Sequence, residues 1–215
     1  MKIHAIYAPR LSGTIKTWSA LIAIFTLLTA CATSAPTQSF DYGSAPFTIG
    51  LPKLQLTGMK WVVAEIRVPA SLDGNAMLYR LNYENPQELK PYAQSRWSVS
   101  PAQLLSIRLK QAINQAGGAA LSAADGIKDT AQLRIELEEF AQHFSAPQHS
   151  QARLHLRVGL IHKNTLIAQR AFTADVDAGT PDAKGGAAAM VRASDQIIQQ
   201  MLQWAQQEQQ SAKMQ

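Results

Sequence analysis

The sequence predicts an α+β fold, a two-layer domain with a mixed or largely antiparallel sheet and two main helices on one face. Two observations support this prediction. Segments between residues 131 and 176 alternate apolar and polar residues, whereas residues 101–116 and 181–207 carry apolar stripes at three- and four-residue spacing. Because each element has one apolar face, packing two helices on one face of a sheet buries all of them.

The first 30 residues have the order of a secretory signal peptide. Lys2, Arg10 and Lys16 precede an apolar run from Trp18 to Leu28, and small residues follow that run. The run is shorter than the roughly 20 residues that a transmembrane helix needs. Residues 1–30 are therefore predicted to be removed from the mature protein.

The only cysteine of the chain, Cys31, comes directly after this leader. A disulfide or a metal site would need companions that the sequence does not offer. The preceding Leu28, Thr29 and Ala30 resemble a bacterial lipobox, which implies diacylglycerol transfer to the Cys31 sulfur, cleavage between Ala30 and Cys31, and acylation of the new amino terminus. A plain secretion signal is the alternative. Ala32, rather than Asp, at the next position resembles the pattern of lipoproteins sent to the outer membrane.

The basic character of the chain comes largely from the leader. Three of its 20 Lys and Arg and none of its 15 Asp and Glu lie in residues 1–30, so the remainder has 17 basic and 15 acidic residues. Nucleic-acid-binding proteins cluster Lys and Arg on one face. The sequence shows no such cluster, and no nucleic-acid partner is predicted.

The mature chain is predicted to form one domain between two irregular ends. Residues 31–46, rich in Ala, Ser, Thr and Pro, are interpreted as the lipidated amino terminus and a flexible tether. Residues 47–207 are the predicted domain. The Gln-rich residues 208–215 are expected to fray.

The first half of this domain is predicted to be mainly extended. Phe47 to Leu56 is a short or edge strand because Pro52 interrupts it. Lys60 to Pro69 alternates and predicts a strand with one buried face, and residues 76–83 form a second extended run. Residues 84–99 are interpreted as a loop that ends in a short strand.

The first helix has clear end signals. Ser100 can cap it, Pro101 suits its first position, and Gly117 and Gly118 end it. Arg108 lies on the apolar face and is expected at its margin. The residues of that face are Leu104, Leu105, Arg108, Leu109, Ala112 and Ile113.

Three strands and a second helix complete the domain. The strands form an antiparallel meander, with a tight turn at Lys163 and Asn164, and residues 119–130 receive no assignment. The second helix begins after Pro181 and has a stripe suited to a core. The strands are residues 131–140, 152–160 and 165–176, and the stripe consists of Met190, Val191, Ser194, Ile197, Ile198, Met201, Leu202 and Ala205.

The sequence contains no recognisable catalytic motif. It lacks a Gly-rich phosphate loop, a G-x-S-x-G elbow and an H-E-x-x-H pair. Four histidines, His143, His149, His155 and His162, are interpreted as residues of polar sheet faces rather than metal ligands. Glu136, Glu138 and Glu139 are interpreted as charges of a polar face, Glu136 and Glu138 being opposite Arg153 and Arg157. No enzyme activity, metal or cofactor is predicted.

An aromatic and basic cluster is the candidate partner-contact site. It comprises Tyr79, Tyr92, Arg96 and Trp97, with Tyr83 nearby. Aromatic residues and Arg are typical of interface centres. Trp97 has two interpretations, a core residue beside the first helix or an exposed contact.

Several stretches in the same order resemble the ABC-type transport auxiliary lipoprotein family, which includes the lipoprotein of paraquat-inducible transport systems. They are VAEIRVPASLDGNAMLYRLN, PYAQSRWSVSPAQLLSIRLKQAI, LRIELEEF and the final helix near Trp204. The resemblance implies a non-catalytic lipoprotein, anchored at the periplasmic face of the outer membrane of a diderm bacterium. It would dock the conduit of a lipid transport system, with a mammalian-cell-entry-domain periplasmic protein and its ABC transporter as partners. A homo-oligomeric ring suits this role, although no residue indicates one.

Two other functions are compatible with the same anchor. One is an outer-membrane lipoprotein that binds and activates a cell-wall enzyme. The other is a periplasmic hydrolase, for which the sequence nominates no residue. An adjacent ATPase, permease and mammalian-cell-entry gene would favour transport.

Overall fold

The computed structural model describes residues 36–44, 47, 54–127 and 129–213. Residues 37–215 form one compact unit. The signal peptide, Ala30 and Cys31 lie outside the described residues. The elements of the unit are β1 (Gln38–Phe40), β2 (Lys60–Val63), β3 (Ala76–Leu81), β4 (Leu89–Trp97), α1 (Pro101–Gln115), β5 (Ala119–Ser122), β6 (Ala131–Ala146), β7 (His149–His162), β8 (Thr165–Asp177) and α2 (Ala183–Lys213).

The longest strand, β6, organises a curled mixed sheet. One edge of β6 pairs antiparallel with β7, which pairs antiparallel with β8. The other edge pairs in parallel with β2 near its beginning and with β3 near its end. β5 extends the sheet beyond β2, and β4 and then β1 extend it beyond β3. Two helices and a mixed sheet confirm the predicted α+β fold.

The predicted meander of β6, β7 and β8 is confirmed. Leu133, Ile135 and Leu137 are buried on β6, and alternate residues of β7 are buried in the same way. Lys163 and Asn164 both have positive φ, 48° and 62°. Two consecutive residues with positive φ suit a two-residue hairpin, because their twist matches that of the flanking strands.

The first half of the domain differs from its predicted strands. The regular strand in Lys60–Pro69 is only four residues long and continues as a bridge from Arg67 to Glu136. Trp61, Val62 and Val63 are all buried on this strand, which lies between β5 and β6 in the sheet, so the predicted single buried face is not observed. Residues 48–53 of the predicted Phe47–Leu56 strand lie outside the described residues, and Leu54 and Leu56 are buried without forming a strand.

Helix α1 forms where its end signals predict. The Ser100 hydroxyl accepts a hydrogen bond from the Gln103 amide, and the Gln103 side chain accepts one from the Ser100 amide. This reciprocal pair satisfies two amide groups that a helix start leaves free. The helix gives way to Gly117, whose φ of 82° suits a residue without Cβ. All six residues predicted for the apolar face are buried.

Helix α2 begins close against the sheet. Asp182 accepts hydrogen bonds from the Gly185 amide and the Thr180 hydroxyl, both at 2.7 Å, which lower the pKa of the carboxyl. A Cβ on Gly186 would lie 1.9 Å from Oε1 of Gln142 on β6. Only glycine therefore lets this turn approach the strand so closely. The helix continues to Lys213, through part of the segment predicted to fray.

The folded part of the chain begins earlier than predicted. β1 lies inside the predicted tether, where it pairs in parallel with the end of β4, Phe40 beside Trp97. Tyr42 is buried as well. A three-residue strand is too short to show an apolar period, and its position depends on the free edge of β4.

Candidate functional site

Tyr79 and Tyr92 lie together on the hairpin of β3 and β4. Their ring centroids are 4.6 Å apart, and Tyr79 also meets the edge of Phe144 on β6 at 6.1 Å. Both tyrosines are partly exposed. This pair supplies an aromatic surface at the end of the sheet where α2 begins.

The Tyr92 hydroxyl is fixed by a buried polar chain. It donates to Oε1 of Gln142 at 2.9 Å, and Nε2 of Gln142 donates to the Ser150 hydroxyl at 2.8 Å. Burial raises the pKa of Tyr92. The hydroxyl is therefore a neutral donor, and its hydrogen bonds hold Tyr92 in the orientation in which its ring contacts Tyr79.

The other two predicted contact residues lie elsewhere. Trp97 is 2% exposed and meets Phe140 and Tyr42 edge to face, at 5.4 and 6.3 Å between ring centroids. Arg96 is exposed on β4 and pairs in register with Ser39 of β1. The structure thus brings Tyr79 and Tyr92 together, leaves Arg96 accessible beside β1, and places Trp97 in the core.

A buried ion pair joins the two helices. Nε and Nη2 of Arg108 on α1 each donate to one carboxylate oxygen of Asp195 on α2, both at 2.7 Å. Both side chains are at most 5% exposed. The expectation that Arg108 lies at the margin of its face is therefore wrong, because its charge is neutralised within the core. The hydrogen bonds that Arg108 donates to Asp195 raise the pKa of Arg108.

The segment after β1 covers this ion pair. The Tyr42 hydroxyl is hydrogen-bonded to the Ser194 hydroxyl at 2.7 Å, and the Arg108 guanidinium lies 5.4 Å from the centroid of the Phe47 ring. Burial raises the pKa of Tyr42, which remains protonated. One signal pointed to this cluster, namely the charge of Arg108 on the predicted apolar face of α1, whereas Asp195 was not part of the predicted stripe of α2.

The polar face of the meander carries a ladder of ion pairs. Glu136 pairs with Arg67 and Arg157, and Glu138 pairs with Arg157 and His155. The predicted pairing of Arg157 with these glutamates is confirmed. Arg153 instead pairs with Asp175 on β8 at 2.6 Å. These charges need no catalytic role.

The four histidines are dispersed. His143 is buried and hydrogen-bonded to Glu139 at 2.7 Å, which lowers the pKa of Glu139, and to Asn82 at 3.3 Å. His162 lies near the carbonyl of Asp129, and His149 is exposed. Within the described ranges, no group of three or more His, Cys, Asp or Glu is arranged to hold a metal ion. Nor does that part of the chain contain a helix long and apolar enough to cross a membrane.

The sequence and the fold have counterparts among known proteins. The family model of the ABC-type transport auxiliary lipoprotein component matches residues 53–203. The chain belongs to the ABC-type transport auxiliary lipoprotein family. As a member, it is a membrane-associated lipoprotein and an auxiliary component of a transport system. No curated protein matches the sequence.

Solved structures share the fold of this transport auxiliary lipoprotein. Protein XCC0632 from Xanthomonas campestris, of family DUF330, has 20% sequence identity and a TM-score of 0.69, over 76% of this chain and 93% of the other. A second protein, described only as uncharacterized, has 14% identity and a TM-score of 0.60, over 78% of this chain and 97% of its own. At these identities the similarity establishes the fold alone.

Proposed function

We propose that this auxiliary lipoprotein is anchored by Cys31 at the periplasmic face of the outer membrane and docks the periplasmic conduit of a lipid transport system. Its partners would be a mammalian-cell-entry-domain protein and the associated ABC transporter. The family membership over residues 53–203 is the observation that carries this proposal. The lipobox at residues 28–31 supports the anchor.

The role proposed for the folded domain is binding rather than catalysis. Four of its buried polar side chains form hydrogen bonds with one another inside the fold, Arg108 with Asp195 and Gln142 with Ser150. Tyr79, Tyr92 and Arg96 are the accessible members of the predicted contact set. An acyl anchor raises the local concentration of such a domain near its partners without any new contact.

Replacing Cys31 with alanine is expected to release the protein from membranes and to abolish palmitate labelling. The Cys31 thiol is the acceptor of the diacylglyceryl group, and acylation of the amino terminus follows that transfer, so the variant is expected to carry no acyl chain. Membrane fractionation with labelled palmitate measures both effects. Ser34→Ala, three residues away, is the matched control and should behave as the wild type. Unchanged retention of Cys31→Ala would refute the anchor.

Crosslinking tests the docking role. A photo-crosslinking residue at position 79 or 92 is expected to capture the mammalian-cell-entry-domain protein in intact cells. The same residue at position 107, where Ile107 is 53% exposed on α1, is the control. Capture of a cell-wall enzyme instead would favour the alternative function. Equal capture from all three positions would argue against the hairpin as the contact.

A further inference from the structure

A shallow groove of about 480 Å³ lies on the polar face of the meander. Three guanidinium groups line it, from Arg67 after β2, Arg134 on β6 and Arg157 on β7. Glu136 is the one carboxylate that lines the groove. The groove therefore presents an excess of positive charge, drawn from three different parts of the sheet.

The three arginines are not equally neutralised. Arg67 and Arg157 share Glu136, and Arg157 also pairs with Glu138. Nε of Arg134 donates a hydrogen bond to Oε1 of Gln132 at 3.1 Å. This acceptor is neutral and does not balance the charge of Arg134. Within the described part of the chain, no carboxylate forms an ion pair with Arg134. An incoming carboxylate would gain a charge-assisted hydrogen bond there.

Leu166 and Gln169 form the β8 side of the groove. Arg134 is opposite Gly159, and Cδ1 of Leu166 lies over that glycine, 3.4 Å from where a Cβ would be. Leu166, which is 54% exposed on β8, supplies an apolar contact at one end.

We propose that this arginine groove binds an extended acidic segment of a partner protein. The segment lies in the groove, directs a carboxylate toward Arg134, and packs an apolar side chain on Leu166. The apolar lining is limited to Ile161 and Leu166, which suits a peptide side chain and not an acyl chain. The inference goes beyond the proposed function, because the groove is separate from the Tyr79–Tyr92 hairpin. Peptide binding in the groove can therefore be refuted without refuting docking through that hairpin.

Peptide binding to the full chain in detergent tests the proposal. The probe is a fluorescent ten-residue peptide of alternating Glu and Thr with a central Leu, measured by anisotropy at low salt. Arg134→Glu is expected to raise the dissociation constant at least about tenfold. Arg134→Gln should have a smaller effect of the same sign. Lys184→Glu, which makes the same charge change at the exposed start of α2, should leave the dissociation constant unchanged.

Several outcomes would overturn binding of an acidic segment in the groove. Equal weakening by Arg134→Glu and Lys184→Glu would show that net charge alone attracts the peptide, and would overturn the groove. Absence of peptide binding, or equal binding of a peptide with Lys in place of Glu, would also overturn it. Binding of phosphatidylglycerol vesicles that depends on Arg134, without peptide binding, would replace the protein segment with a lipid headgroup. Melting curves identify a variant that fails to fold. If Arg134→Glu does not fold, the dissociation constant of Arg134→Gln is compared with that of the wild type instead.

Discussion

Replacing Asp195 with alanine is expected to lower the free energy of unfolding by about 3 to 5 kcal/mol. The substitution removes the carboxylate that accepts two hydrogen bonds from Arg108 and leaves that guanidinium in the core without its counter-charge. Water cannot replace the lost carboxylate, since both side chains of the pair are at most 5% exposed. Urea denaturation followed by circular dichroism measures the change.

Two controls separate the cost of an unpaired charge from the value of the pair. The double variant Arg108→Met with Asp195→Leu is expected to recover most of the loss, because apolar side chains of similar size can replace a buried ion pair. Asp175→Ala breaks the half-exposed pair with Arg153 and should cost no more than about 1 kcal/mol. An Asp195→Ala variant as stable as Asp175→Ala would show that the ion pair is not buried in solution.

Replacing Trp97 with alanine is expected to destabilise the domain by about 3 to 5 kcal/mol. Trp97 fills the space between Tyr42 and Phe140, so its removal leaves a cavity among aromatic rings that the sheet cannot close. Thermal and urea denaturation measure the loss.

Tyr83 provides the matched control for Trp97. It is an aromatic residue after β3 with 42% exposure, and Tyr83→Ala is expected to change the stability little. A Trp97→Ala protein with an unchanged melting curve but lost partner binding would assign Trp97 to the interface instead of the core.

The elements that were predicted correctly from the sequence are those whose structure is decided by neighbouring residues. Ser100, Pro101, Gln103 and Gly117 determine the ends of α1 through hydrogen bonds and backbone angles that involve only neighbouring residues. The alternation of the meander is equally local, because each of its strands has one face on the helices. These elements carry their signals in their own residues.

The elements and contacts that were not predicted depend on residues far apart in the sequence. β1 and β5 are three and four residues long, and each exists because a longer strand offers it an edge. The pairing of Arg153 with Asp175 depends on the register of the hairpins, including a bulge between Leu137 and Glu139 that alternation does not reveal. For the candidate site, the sequence indicated Tyr79 and Tyr92 but not the match between Arg108 and Asp195, which appears only when α1 and α2 are placed side by side.

With the proposed anchor at Cys31, the early start of β1 would limit the distance between the domain and the bilayer. Only residues 32–37 separate Cys31 from Gln38, and this stretch spans at most about 25 Å when fully extended. A tether reaching to residue 46 would have allowed roughly twice that height. If the protein is anchored at the outer membrane as proposed, its domain would stay close to the lipid surface, and a partner from the inner membrane would have to span the periplasm to reach it.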